Sequence, residues 1–463
     1  MPTKKYKKSL FIFRRDLRIN DNNGLHAALA ESDMVIICFI FDPRQASTSN
    51  SYRSTNAIQF MIESLEDLTH QLSEKKGHLY CFKGKAEDVV KKIIKQEHIN
   101  AVFCNRDYTP FSIMRDTAMS AACKAAEIPF IQSSDALLNE PEDIKTGKDE
   151  PYSIFTPFYN HCSKHFPIKE PNALRMSNFY TKPIKKTISL EAARKEFIPH
   201  ENPRIYVHGG SQNGLKILKS LQRYKNYSTE RDLPALEATT HLSAYIKFGC
   251  VSIREVAAAI KKHLGVGHPL LRQLYWRDFY YHIAYNSPSV FGHAYHKKYD
   301  ALWWSTSKVN FKKWCDGETG FPIVDAGMRQ LNETGFMHNR VRMIVASFLT
   351  KDLHISWQWG EKYFAKQLVD YDPAVNNGNW QWAASTGCDA QPYFRIFNPW
   401  TQQKKFDPQC EYIKRWIPEL ANIESKIIHN RFKRVCPEIQ GYPKPMVDHD
   451  IQRQITLTIY KKV

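Results

Sequence analysis

Long apolar runs are missing from this 463-residue sequence. Nothing in it approaches the roughly 20 consecutive apolar residues of a membrane-spanning helix. The Lys-rich N-terminus also lacks the apolar stretch of a secretory leader, so a soluble, cytoplasmic protein is expected. Paired cysteines are missing as well. Ten are scattered from Cys38 to Cys436, none in C-x2-C spacing. That excludes a zinc ribbon, argues against a disulfide framework and fits a reducing compartment. His161, Cys162 and His165 could approach one another on a helix, but no completing ligand is evident, and no metal is expected. The G-x-G-x-x-G fingerprint is absent after the first strand-like run, so NAD is not held there in the usual way. Internal repeats and low-complexity tracts are absent too.

What is present is apolar bulk and positive charge. The sequence is 43% hydrophobic and 13% aromatic, enough to bury a large core. Lys and Arg total 65 against 47 Asp and Glu, a formal charge of +18. Such a surplus attracts polyanions, nucleic acid above all, because neutralising phosphates releases condensed counterions. At roughly 150 residues per domain, the length predicts two or three domains.

The first third alternates strand and helix signals. Apolar runs at 10–13, 35–41, 78–82, 101–104 and 128–132 read as buried strands, and helical periodicity fills 57–72 and 88–94. This predicts an α/β domain over 1–135, a doubly wound parallel sheet covered by helices on both faces. From 136 to 203 the alternation stops and prolines recur, which marks a connection between domains. From 204 to 463 helical patterns dominate, so an all-α second domain is expected. The last forty residues or so carry no clear signal.

Four polar and aromatic clusters stand out in that second part. Thr239, Thr240, His241, Leu242 and Ser243 precede a helical stretch, where hydroxyls can cap a helix or its free N–H groups can attract phosphate. In Arg272–Tyr280, helical spacing puts Gln273, Trp276, Arg277 and Tyr280 on one face and Leu271, Leu274 and Tyr275 on another. The first face suits stacking on a base beside a phosphate, or equally an aromatic rim of an amphipathic helix. Asn339, Arg342 and Met343 share a third face. The fourth cluster, Asp370 to Trp382, holds two acids at i and i+2, the pair Asn376-Asn377, Gly378, and two tryptophans. The acids could bind a cation or accept hydrogen bonds from ribose or a base. The regular oxygen spacing of a calcium loop is absent.

These segments, with Ala383-Ala384-Ser385-Thr386-Gly387 and Phe394-Arg395-Ile396-Phe397-Asn398-Pro399, resemble the photolyase/cryptochrome family. Phe13 to Asn22, with its Arg14-Arg15-Asp16-Leu17-Arg18 core, resembles that family's opening strand and turn. The resemblance is nearly colinear from residue 10 to 420 and is strongest to class I cyclobutane pyrimidine dimer photolyases.

The resemblance implies a helical domain that holds FAD in a U shape. Tyr227, Thr239, Thr240, Leu242 and Ser243 would hold its phosphates and ribityl chain, with Arg342, Asp370 and Asp372 around the isoalloxazine and sugar. Asn376 would face flavin N5. Light would drive an electron from reduced FAD into a crosslinked dimer flipped out of UV-damaged DNA. Trp276, Trp382, Met343 and Asn339 match the dimer's neighbours, and Arg231, Arg277, Arg340 and Gln402 match the DNA-facing rim. Trp380, Trp357 and Trp304 match a chain that passes electrons from the surface to oxidised flavin, while Trp303 and Trp359 read as packing. The protein would act as a monomer without regard to sequence.

Two positions depart from the class I pattern. Gln273 stands where a glutamate is usual; glutamine is more usual in (6-4) photolyases and animal cryptochromes. The His-His pair of (6-4) enzymes is here His338-Asn339, which keeps cyclobutane dimers as the first expectation. Near Asn105-Arg106-Asp107-Tyr108-Thr109-Pro110, folate-binding members show an Asn-Glu pair where this chain has Phe111-Ser112. A folate antenna, a deazaflavin antenna and no antenna stay open as alternatives. The rival functions are a cryptochrome photoreceptor and a non-catalytic nucleic-acid-binding protein. The second leaves Asp370, Asp372 and the Asn pair without a purpose.

Overall fold

The computed structural model describes residues 4–431 and 438–463; the expected tenth cysteine, Cys436, lies outside the described residues. Five parallel strands form one sheet: β1 Tyr6–Phe13, β2 Ser32–Phe41, β3 Leu79–Lys83, β4 Ala101–Asn105 and β5 Phe130–Ser133. Their spatial order is β3-β2-β1-β4-β5. Each expected strand run falls on one of them. In β1 the stretch Ser9 to Phe13 is buried on both faces, because helices such as Asn23–Glu31, Thr55–Glu74 and Ala86–Glu97 cover the sheet on either side. The order reverses direction between β1 and β4, which pair from Ser9↔Ala101 to Ile12↔Cys104. A crevice opens beyond the carboxyl ends of strands at such a switch point. The residues that follow these two strands are charged: Arg14-Arg15 after β1, Arg106-Asp107 after β4.

Between 136 and 203 the chain carries two helices, Phe155–His165 and Leu190–Phe197, and a bridge from Phe179 to Val35 of β2. The rings of His161 and His165 lie 4.9 Å apart, while Cys162 is fully buried in the core. Among the described residues no three His, Cys, Asp or Glu side chains gather as metal ligands. The nine described cysteines are all buried and unpaired. No described helix is long and apolar enough to cross a membrane.

Beyond residue 204 the structure is helical. The helices that matter for the site are Ile253–Leu264, Pro269–Asn286, Asn339–Ser347, Trp357–Gln367 and Pro373–Ala384. Proline at the first turn starts Pro269–Asn286 and Pro373–Ala384, where its missing N–H costs nothing. Apolar packing continues across the two parts of the chain: Phe60 stacks on Phe248 at 5.2 Å and meets Tyr245 edge-on at 5.1 Å. A buried ionic cluster joins them as well. Asp135 accepts from Arg18 at 2.6 Å and from Arg254 at 2.7 Å, and Arg254 reaches Asp21 at 2.8 Å. A second apolar core forms around Trp314, Phe348, Trp357 and Trp380. The helix His449–Lys461 lies in the stretch that carried no sequence signal, and the Tyr460 hydroxyl bonds to the carbonyl of Ala384.

Candidate active site

Three of the expected flavin residues, Ser243, Arg342 and Asp370, come together from separate stretches of chain. Arg342 grips Asp370 with both terminal nitrogens, at 3.2 and 3.0 Å, and its Nε donates to the Met337 carbonyl at 2.7 Å. Ser243 Oγ donates to the same Asp370 carboxylate at 2.7 Å. The expected helix cap is therefore not what this hydroxyl does: the helix Ser243–Lys247 has no side-chain cap, and Ser243 is committed to Asp370. Thr240 Oγ1 accepts from the N–H of Leu242 at 3.4 Å, and the Leu242 side chain is buried. Thr239 and Tyr227 are half-buried nearby in sequence, with the Arg231 guanidinium 5.6 Å from the Tyr227 ring.

Asp372 has a more unequal environment. Its Oδ2 accepts from Arg15 Nη2 at 2.5 Å and from the Tyr281 hydroxyl at 2.6 Å. Its Oδ1 is buried with no partner among the described residues. Burial pushes this carboxyl up, but the guanidiniums of Arg15 and Arg277 outweigh it and hold the group below the usual carboxylate range. Asn376, also buried, donates to the Glu361 carbonyl at 3.1 Å, and Asn377 donates to Glu361 Oε1 at 3.2 Å. Burial pushes Glu361 up to about 7, against the pull of the Asn377 hydrogen bond.

The three tryptophans grade from inside to outside: Trp380 is 2% exposed, Trp357 3%, and Trp304 is half-buried. Trp380 presses on the backbone of Gly360 in the Trp357 helix, where an added Cβ would lie 2.1 Å from the indole. Trp304 precedes Ser305, whose N–H meets the His354 carbonyl at 2.6 Å, three residues before Trp357. Trp303 is 61% exposed and Trp359 half-buried. Trp314, not singled out by sequence, is fully buried and edge-on to Trp380 at 6.1 Å.

Trp276 is half-buried and lies flat against Phe155 of the connecting segment, at 3.6 Å and 8°. Gln273 is half-buried too, and its amide has no partner among the described residues. Tyr280, expected on the open face, is instead 7% exposed, because Gly378 of the helix Pro373–Ala384 closes over its ring. Arg277 departs from the expected rim as well. Its Nη1 donates to the Ala136 carbonyl at 2.7 Å and its guanidinium lies 4.8 Å from the Tyr281 ring, so it serves the junction with the sheet domain. Arg340 pairs with Asp232 at 2.9 Å over the ring of Phe406. Asn339 reaches the Met343 sulfur at 3.7 Å, Trp382 is half-buried near Phe397, and Gln402 keeps a buried, unpartnered Oε1. His338 caps its helix by accepting from the Arg340 N–H, and burial pushes it down to about 4.

A separate cavity of about 370 Å³ opens at the carboxyl end of the sheet. Arg14, Arg15, Arg44, Arg115 and Lys247 line it, and Nη2 of both Arg14 and Arg115 is buried without a partner. Burial and the neighbouring Arg15 cation push Lys247 down to about 7. Its ammonium lies 3.3 Å from the Phe248 ring centroid.

A sheet domain with a cationic crevice, joined to a helical domain that buries acids, amides and tryptophans, is the arrangement of a flavoprotein. The chain belongs to the DNA photolyase family. Residues 9–175 match DNA photolyase, and residues 270–462 match the FAD binding domain of DNA photolyase. The deoxyribodipyrimidine photo-lyase of Vibrio cholerae is 36% identical, over 97% of this chain and 98% of that protein. The archaeal photolyase of Sulfolobus tokodaii, whose crystal structure holds two FAD molecules, is 42% identical with a TM-score of 0.89. That match covers 98% of this chain and all of the other. A class III photolyase of Agrobacterium tumefaciens is 33% identical with a TM-score of 0.91, covering 99% of this chain and 98% of the other. The protein is an enzyme of this family and FAD is its cofactor. FAD suits the residues found here: the orphaned Asp372 Oδ1 awaits a donor N–H, and the Arg342–Asp370–Ser243 triad is a preformed polar wall.

Proposed function

We propose that this chain repairs cyclobutane pyrimidine dimers in UV-damaged DNA, in a light-dependent reaction on a dimer flipped out of the duplex. The observation that carries the reading is the helix Pro373–Ala384. It brings buried Asn376, buried Trp380 and half-buried Trp382 into one element, directly after Asp370 and Asp372. Reduced FAD, when bound, would supply an electron, under light, for splitting the dimer. The chain's own residues do the rest. Asp372 offers an acceptor, Arg342 and Ser243 fix Asp370, and Asn376 is oriented by its bond to the Glu361 carbonyl. Trp276 and Trp382 offer indole faces, on which stacking is worth about 1–3 kcal/mol per base. The Gln273 amide, free of other partners, bonds the dimer's carbonyl and imide groups.

The pair His338-Asn339, at the place where (6-4) enzymes carry two histidines, supports a cyclobutane substrate over a (6-4) one. The test is illumination of the reduced enzyme with oligonucleotides carrying one lesion or the other. Cyclobutane repair that persists in His338→Ala is expected. Repair of the (6-4) product alone, lost in His338→Ala, would overturn the assignment.

The cavity at the sheet end suits a second, anionic chromophore, with two unpartnered guanidinium nitrogens and Lys247 to receive it. With the two FAD molecules of the Sulfolobus tokodaii relative in view, the chromophore proposed for it is a flavin nucleotide rather than a folate. Chromophores released by denaturation and weighed by mass spectrometry decide between them.

A further inference from the structure

Arg15 is the second residue after β1, at the point where the strand order reverses. It lies in the sheet domain yet makes its shortest bond to Asp372 of the helical domain, at 2.5 Å. Its other nitrogens are committed too: Nη1 to Asp107 Oδ1 at 3.4 Å and Nε to the Lys247 carbonyl at 3.1 Å. The backbone around it is just as constrained. Gly249, at φ +64°, crosses so near that an added Cβ would lie 2.2 Å from the Arg15 carbonyl oxygen. These bonds hold the guanidinium against Asp372 Oδ2, which accepts from the Tyr281 hydroxyl as well. The consequence is an asymmetric carboxylate. Oδ2 is spent on the sheet domain and Tyr281, and Oδ1 is left buried, unpartnered and available.

We propose that Arg15 is a positioning residue of the flavin site: it holds Asp372 ionised and turned so that Oδ1 presents an acceptor to an N–H of the isoalloxazine. The proposal rests on the reading that Asp372 contacts the flavin. A buried carboxylate keeps its charge only when it is paired and hydrogen-bonded. Arg15 supplies the pairing from outside the helical domain, so the flavin site depends on the sheet domain. The same guanidinium lines the cavity at the sheet end, so the flavin site and that cavity share one side chain.

The test is FAD titration of apoprotein, followed by quenching of flavin fluorescence, at pH 6 and pH 8. The proteins are wild type, Arg15→Gln, Arg15→Lys, Asp372→Asn and the double variant Arg15→Gln/Asp372→Asn. Arg15→Gln is expected to raise Kd tenfold or more, and further at pH 6 than at pH 8. Without it, Arg277 alone holds the Asp372 charge against burial, so the carboxyl takes up a proton more readily as pH falls; Lys247, pushed down to about 7, titrates in wild type as well, and the effect is read as the difference between variant and wild type. In the Asp372→Asn background, Arg15→Gln should add less than threefold. An equal penalty in both backgrounds, or a Kd within twofold of wild type for Arg15→Gln, overturns the proposal. A wild-type Kd in Asp372→Asn instead removes the reading of Asp372 beneath it. Should Arg15→Gln fail to fold, Arg15→Lys carries the test. An ammonium cannot serve Asp372, Asp107 and the Lys247 carbonyl with one planar fork, so a Kd raised threefold, only while Asp372 is present, is expected.

Discussion

Trp380 lies where three contacts converge: the edge of Trp314, the ring of Phe364 at 5.0 Å, and the bare backbone of Gly360. Replacing it with phenylalanine keeps an apolar ring but leaves part of the volume empty, at a cost of about 1–3 kcal/mol. Trp380→Phe is expected to retain FAD and to slow photoreduction of oxidised flavin at least tenfold, followed by absorbance under blue light. Photoreduction at the wild-type rate would remove Trp380 from the electron path. Gln273 makes the opposite kind of prediction. A carboxylate there accepts a charge-assisted bond, about twice as strong as a neutral one, from the dimer's imide N–H. Gln273→Glu should therefore raise cyclobutane repair efficiency by up to about tenfold. A fall in kcat/KM would show that the amide's own donor is what binds the dimer.

The helix Pro269–Asn286 meets the connecting segment at two points, with Trp276 flat on Phe155 and Asp278 on the backbone of Leu138 and Asn139. Asp278 accepts from the N–H groups of Leu138 and Asn139, at 2.8 and 3.0 Å. Burial nonetheless pushes it up to about 7, against Arg277 and those two bonds. Its folded pKa thus exceeds the unfolded one. Between about 4 and 7 the folded state holds a proton that the unfolded state releases, so this group's contribution to stability falls as pH rises through that window. Asp278→Asn should remove that dependence and gain on the order of 2 kcal/mol on wild type at pH 8 relative to pH 5, by urea unfolding. At this scale the sequence was readable where a single period dominates. The five apolar runs became the five strands because a doubly covered sheet demands apolar residues on both faces. The acid pair was readable from the sequence as a polar cluster, while the helix Pro373–Ala384 that follows it emerged only in the structure. What stayed hidden depends on contacts between distant segments. Helical spacing placed Tyr280 and Arg277 on an open face, but Gly378 of one neighbour and Ala136 of another cover them. Nor does any local pattern reveal that Arg15 reaches across 357 positions to Asp372, or that Trp314 meets Trp380.

The formal charge of +18 belongs to the whole molecule, and DNA affinity should carry its mark. Binding to damaged duplex is expected to weaken with salt, with a log–log slope of about −0.9 per phosphate contacted. Arg231→Ala should reduce that slope by about one contact. Arg277→Ala should leave it unchanged, because that guanidinium is spent on the Ala136 carbonyl. A flat salt profile would remove the assignment of this surface to DNA. The nine buried cysteines have a different consequence, one that concerns wear rather than catalysis. Burial pushes Cys81, Cys123, Cys315 and Cys388 up to about 12, and Cys104 and Cys250 to about 11. The species that peroxide attacks is the thiolate, and at neutral pH these groups hold almost none of it. A protein that carries a flavin meets oxidants throughout its life, and these thiols are kept in the form that ages most slowly.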